Sequence, residues 1–179
     1  MTLELDEDLI GQIERNGEAA YPEEGVGALL GSLCEDGPDH DRTLAVATKI
    51  EIIPNAQQQH RERRYLVDPR DILRIERYAD ATGLRVLGWF HSHPDHPAAP
   101  SQTDLQFAWP GWSYVISSIA RGHAHGTTSW RLSEGTGLKT FRGETILLRG
   151  GGIYAPAATE AVAAIFQAPP SGVQPEGTP

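Results

Sequence analysis

The sequence predicts an α/β or α+β domain on three observations. Helical and strand-like hydrophobic patterns are interspersed, the chain has the length of a single domain, and no apolar run approaches the roughly 20 residues of a membrane span. With 179 residues the chain can bury a real core, and one domain over residues 1–149 is expected. Residues 150–179 are rich in Gly, Ala and Pro, and Pro169 to Pro179 has almost no apolar content to bury. The end therefore reads as a largely disordered tail, with Ala157 to Ala168 able to form a short helix.

The elements follow in order. Leu9, Ile10, Ile13, Ala19 and Ala20 recur at roughly helical spacing behind an acidic first turn, so 7–20 reads as an amphipathic helix with Pro22 just past its end. Val26 to Leu33 is short and mainly apolar, and Leu44 to Ile53 is rich in β-branched residues; both read as strands. Asp68-Pro69 opens a second helix that Gly83 closes. Leu84 to Phe90 is a dense apolar run, a central strand whose ladder Pro94 ends. Tyr114 to Ile119, Thr127 to Leu132 and Glu144 to Leu148 complete the strands, with Arg121 to Gly126 as a turn.

Composition narrows the function. The 24 acidic against 15 basic residues give a net charge of −9, which repels a phosphate backbone, so no nucleic-acid partner is expected. The single cysteine, Cys34, has no intrachain partner and reads as a small buried hydrophobe, and a lone thiol suits a reducing compartment. Met1 to Asp8 carries four acidic residues and no basic one, the reverse of a secretory leader. A soluble cytoplasmic protein without membrane contact is expected.

Chemistry concentrates at His91-Ser92-His93-Pro94. Strand side chains alternate with period two, so both imidazoles project from one face. Eight residues after His93, Ser101-Gln102-Thr103-Asp104 reads as a helix start capped by Ser101, which returns a hydroxyl and a carboxylate towards the rings. Either feature alone is ordinary, a polar strand end or a capping box; their joint spacing is the signal. Two His nitrogens and one Asp oxygen make the three-ligand set of a catalytic zinc site, whereas a closed structural site normally has four. Zinc brings the pKa of water from about 15.7 to near 7, and a separate general base is still required.

His91-x-His93-Pro94 followed by Ser101-x-x-Asp104 resembles, residue for residue, the signature of the JAMM (MPN-plus) metalloproteases. Those enzymes also carry an upstream Glu-x-x-Gly, which Glu24-Gly25-Val26-Gly27 matches. The likeness runs over roughly residues 5–148 and includes Tyr65-Leu66-Val67-Asp68-Pro69 and Trp89-Phe90. Val26 stands where many relatives have cysteine, a site that is neither ligand nor base. The resemblance implies an MPN/JAMM domain, a mixed β-sheet flanked by helices of cytidine-deaminase-like type, with one Zn2+ per chain held by His91, His93 and Asp104. It makes Glu24 the general base, which takes a proton from the attacking water and delivers it to the leaving amine, and gives Ser101 a part in stabilising the oxyanion.

The same resemblance implies cleavage of a peptide or isopeptide bond after the C-terminal Gly-Gly of a ubiquitin-like protein, in prokaryotes a small sulfur carrier of β-grasp fold. About eight residues separate Asp104 from the next strand, which leaves no space for the insertion that eukaryotic ubiquitin-chain enzymes use. A noncatalytic MPN-type scaffold with a structural zinc is the competing reading, against which the intact His, His, Ser, Asp and Glu set argues. No His-Glu-x-x-His helix exists, and the two cysteines of a deaminase are absent. His123-Ala124-His125 repeats the pair spacing in a turn with no Ser-x-x-Asp after it. His96 sits in the loop from Pro94 to Pro100, and His40 and His60 lie in polar stretches. Arg61 to Arg64 holds three arginines and stays unassigned, and Trp109, Trp112 and Tyr114 fit either a substrate groove or the core.

Overall fold

The computed structural model describes residues 2–36, 42–133 and 139–155. The elements are β1 (Thr2–Leu5), α1 (Glu7–Ala20), β2 (Val26–Asp36), β3 (Arg42–Ile53), α2 (Pro69–Thr82), β4 (Arg85–Pro94), α3 (Gln102–Phe107), β5 (Ser113–Ala120), β6 (His123–Leu132), β7 (Phe141–Glu144) and β8 (Ile146–Leu148). The strands make one mixed sheet in the order β7-β6-β5-β4-β2-β3-β1-β8. The pairs β1–β3, β1–β8 and β4–β5 are parallel, and the rest are antiparallel. No helix among the described residues is long and apolar enough to cross a membrane.

Both long helices start and stop where local chemistry dictates. The Asp6 carboxylate accepts from Leu9 N at the cap of α1, and Asp68 accepts from Arg70 N at the cap of α2 with Pro69 in the first turn. Gly83 ends α2 with φ 70, the left-handed cap that glycine adopts without strain. Leu9, Ile10 and Ile13 of α1 pack with Leu29, Leu87, Phe90 and Val115 on one face of the sheet. Ile75 and Ala79 of α2 pack with Val26, Leu30, Trp89 and Tyr114 on the other. The sheet thus lies between two helical layers, each covering an apolar face.

Several expectations are revised. Thr2–Leu5, unassigned from sequence, is a strand because it finds parallel partners in both β3 and β8. Residues 144–148, read as one strand, divide between β7 and β8, which pair at opposite edges of the sheet. His123 and His125 lie in β6 and not in a turn; His125 is the extra residue where the β5–β6 register shifts. Cys34 is exposed, not buried, because β4 pairs with β2 only as far as Gly31 and the β2–β3 hairpin runs on beyond its neighbour. The first residues of the expected tail turn back, with Tyr154 N donating to Ile146 O at 3.0 Å. The helix expected over 157–168 and His40 lie outside the described residues.

Candidate metal centre

The site forms at the C-terminal end of β4. Leu29 pairs with Gly88 but Leu30 pairs with Val86, so Leu87 is an extra residue and the alternation of β4 changes phase there. Beyond this bulge, Trp89, His91 and His93 point to the α2 face, while Phe90 and Ser92 point to the α1 face. The period-two expectation for the two imidazoles holds, and the bulge determines which face receives them. Gly27, the glycine of the Glu-x-x-Gly motif, lies where a Cβ would meet the Phe90 ring and the Glu51 carbonyl, so this close strand crossing needs the missing side chain.

His91 Nε2 lies 3.0 Å from His93 Nε2, and Asp104 brings Oδ1 to 3.3 Å from the first and Oδ2 to 3.7 Å from the second. One ligand atom from each of the three falls within 4.8 Å of the others. Asp104 is delivered by α3, whose capping box is complete. Ser101 Oγ accepts from Asp104 N at 3.1 Å, and Ser101 N donates to Asp104 Oδ2 at 2.6 Å. The Ser101 hydroxyl also donates to Oδ2 at 2.6 Å, so it orients this carboxylate directly.

Further contacts hold the imidazoles. His93 Nδ1 lies 2.9 Å from Pro97 O, the contact that fixes the tautomer of a metal-binding histidine and turns Nε2 inward. The 94–100 loop is tied down where Ser118 Oγ donates to His96 O at 2.8 Å and Trp130 Nε1 to Ala98 O at 3.2 Å. Tyr65 lays its ring against His91, with centroids 4.8 Å apart. His91 Nδ1 is buried without a hydrogen-bond partner among the described residues.

Glu24 is 6% exposed and lines the cavities around this cluster. Burial pushes its carboxyl up to about 8; His93 opposes the rise, and the Asp104 and Glu62 charges add to it. Burial would also raise Asp104, but the His91 charge and hydrogen bonds from His91, His93 and Ser101 hold it well below the usual carboxylate range. Burial pushes the His91 imidazole down; burial also lowers His93, but the bond to Asp104, the Asp104 and Glu24 charges and the Pro97 carbonyl together raise it. The donor set suits Zn2+: two imidazole nitrogens and a carboxylate that stays ionised, converging without a fourth ligand among the described residues.

Two residues that sequence reasoning left without a role build the setting of Glu24. Ser92, between the imidazoles, accepts from Gly25 N at 2.9 Å through its buried Oγ, and its own N donates to Gly25 O at 2.9 Å. Asn55 Nδ2 donates to Glu24 O at 3.2 Å and to Arg64 O at 3.1 Å, while its Oδ1 accepts from Gln57 N and Leu66 N. Glu24 N in turn donates to Arg61 O at 2.8 Å. Only the fold makes these roles visible, since every partner of Glu24 lies far away in the chain.

A three-donor centre on a mixed sheet between helical layers is the arrangement that the JAMM resemblance implied. The chain matches the family described as prokaryotic homologs of the JAB domain over residues 6–133, and it belongs to that family. The desampylase of Haloferax volcanii is 38% identical over 55 residues, 30% of this chain and 40% of that protein. The CysO-cysteine peptidase of Mycobacterium tuberculosis is 26% identical over 129 residues, 72% of this chain and 81% of that protein. A solution structure of a protein from Salinibacter ruber shares 34% identity, covers 87% of this chain and 96% of its own, and has a TM-score of 0.61.

Of the other residues weighed from sequence, Trp109 is 67% exposed on the wall of a cavity, whereas Tyr114 is buried and its hydroxyl accepts from Trp109 N at 2.6 Å. Trp112 stands edge-on to Trp89 with centroids 5.7 Å apart. His96 reaches the rim of the metal centre, while His60 is on the surface.

Proposed function

We propose that the protein is a cytoplasmic zinc-dependent hydrolase that cleaves a peptide or isopeptide bond after the C-terminal Gly-Gly of a ubiquitin-like or sulfur-carrier protein. The observation that carries this reading is the convergence of His91, His93 and Asp104 beside Glu24, a buried carboxyl whose pKa is moved towards neutrality. The activities of relatives support the substrate class: one is a desampylase and another a CysO-cysteine peptidase.

In this reading Zn2+ held by His91, His93 and Asp104 supplies Lewis-acid polarisation of the scissile carbonyl and lowers the pKa of the attacking water. Glu24 takes the proton from that water and gives it to the leaving amine, a two-way task that suits an acid titrating close to working pH. The Ser101 hydroxyl, exposed at the rim and bonded to Asp104, turns to the oxyanion that develops on the carbonyl. A cavity of about 650 Å3 leads to the centre past Trp109, Trp112, Trp89 and Tyr65, and it receives the carrier's extended tail.

The test is intact-mass analysis of a Gly-Gly-terminated sulfur carrier extended by cysteine or a short peptide, incubated with zinc-loaded wild type and with Glu24→Ala. Cleavage directly after the second glycine by wild type alone is expected. Zinc binding without cleavage of any such substrate would favour the scaffold reading.

A further inference from the structure

Two cavities open onto the centre, and they share Glu24, Ser101 and Arg63 as common wall. The larger, about 650 Å3, is walled by aromatic side chains; the smaller, about 310 Å3, is bounded by His93, Pro94, His96 and Pro97. Because Glu24 must reach both the attacking water and the departing nitrogen, the two sides of the scissile bond fall on either side of it. A protein tail needs the long groove, and the small cavity, at the low end of ligand-site volumes, is left for what departs.

Arg63 is an exposed residue on a loop whose backbone is tied down. Its N donates to His60 O at 3.0 Å, and its loop is bonded to the general base from both directions, by Glu24 N to Arg61 O at 2.8 Å and by Asn55 Nδ2 to Glu24 O at 3.2 Å. Neighbouring Arg61 is occupied by Glu23 at 2.9 Å. Among the described residues the Arg63 guanidinium has no carboxylate within ion-pairing distance, although the chain carries a net charge of −9. A guanidinium without a carboxylate partner on the wall of a small cavity can receive a carboxylate, since its planar fork of N–H donors matches both oxygens of that group.

We infer that the small cavity is the leaving-group site and that Arg63 selects a leaving group carrying a free α-carboxylate, a single C-terminal residue in preference to a lysine side chain. The inference rests on the hydrolase reading above. Water oxygen bonds to the glycine carbonyl carbon, the C–N bond breaks, and the amine departs with the proton from Glu24 while its carboxylate stays on Arg63. A lysine ε-amine is followed by an aliphatic stem and offers Arg63 no anion.

The experiment uses the zinc-loaded full chain and a Gly-Gly-terminated carrier extended by one alanine, either as the free acid or as the carboxamide. Wild type is expected to favour the acid by at least about tenfold in kcat/KM, the effect of one charged hydrogen-bonding partner. Arg63→Gln brings the acid-to-amide ratio to about one, and Arg63→Lys restores part of it. A general defect in folding lowers both rates and leaves the ratio unchanged. Equal cleavage of acid and amide by wild type, or an unaltered ratio in Arg63→Gln, overturns the inference and leaves the hydrolase reading standing. Cleavage of neither substrate overturns both.

Discussion

Glu24→Gln keeps the shape of a buried side chain and removes its ionisation, so it separates what Glu24 does for catalysis from what it does to the fold. In the metal-free protein burial pushes this carboxyl from 4.5 up to about 8. Between those two values the folded chain holds a proton that the unfolded chain has released. Stability is therefore fully present below pH 4.5 and falls as pH rises towards 8, with no further loss above. At about 1.4 kcal/mol per pH unit the interval amounts to at most about 5 kcal/mol, a large part of the stability of an ordinary domain. Water entering through the flanking cavities relieves some of this, and a difference of at least about 2 kcal/mol is expected. Urea unfolding of chelator-treated wild type and Glu24→Gln at about pH 4 and about pH 9 reads it directly, with the variant the more stable only at the higher value. The zinc-loaded variant should lose about 10²–10⁴-fold in kcat while retaining metal. Parallel stability profiles for the two proteins across this range would refute the account of Glu24 as a carboxyl held against its own ionisation.

Three further outcomes follow from the geometry. Asp104→Asn should lower metal retained after dialysis by at least about tenfold, measured by elemental analysis, and abolish the activity that added zinc restores to chelated wild type. Ser92→Ala strands the buried Gly25 N–H, so urea unfolding should show a loss of about 1–3 kcal/mol, and kcat should fall more than KM changes because Glu24 shifts. Trp109→Ala, at a side chain 67% exposed, should change stability by less than about 0.5 kcal/mol and raise KM for a carrier-protein substrate about tenfold, as seen in steady-state kinetics.

Local signals carried the helices and the convergence of His91, His93 and Asp104. Asp6, Asp68-Pro69 and Gly83 act on neighbours within one turn, and their elements begin and end where the residues say. His91, His93 and Asp104 span 14 positions in which a strand period and a capping box fix every direction. What failed was decided by distant pairing. Thr2–Leu5 alternates polar and apolar residues but is too short at four residues to read as a strand without its partners, and residues 144–148 divide only because the two edges of the sheet compete for them. The position of Glu24 beside a histidine pair 67 residues later was legible only through resemblance; the Gly25–Ser92 bonds that secure it leave no local trace.

The bulge at Leu87 shows why the histidine spacing alone could not define the site. Spacing of two places both rings on one face, but without the extra residue that face would be the α1 side, already filled by Leu9, Ile10 and Ile13. Gly17 of α1 leaves so little room there that a Cβ at this position would lie 2.9 Å from Ser92 Cβ and 2.8 Å from the Ile119 side chain. With the bulge, Phe90 and the small Ser92 face α1, and the imidazoles emerge on the side where α3 can bring Asp104. That side is open because β4 runs parallel to β5, so residues 95–112 must cross from the C-terminal end of one strand to the start of the other. Ligand sites in sheets of this kind lie outside the carboxyl ends of strands where neighbours change direction, and β4 has antiparallel β2 on one side and parallel β5 on the other. The crossing supplies Ser101 and Asp104, the antiparallel neighbour supplies Glu24 from the start of β2, and the centre forms where the two meet.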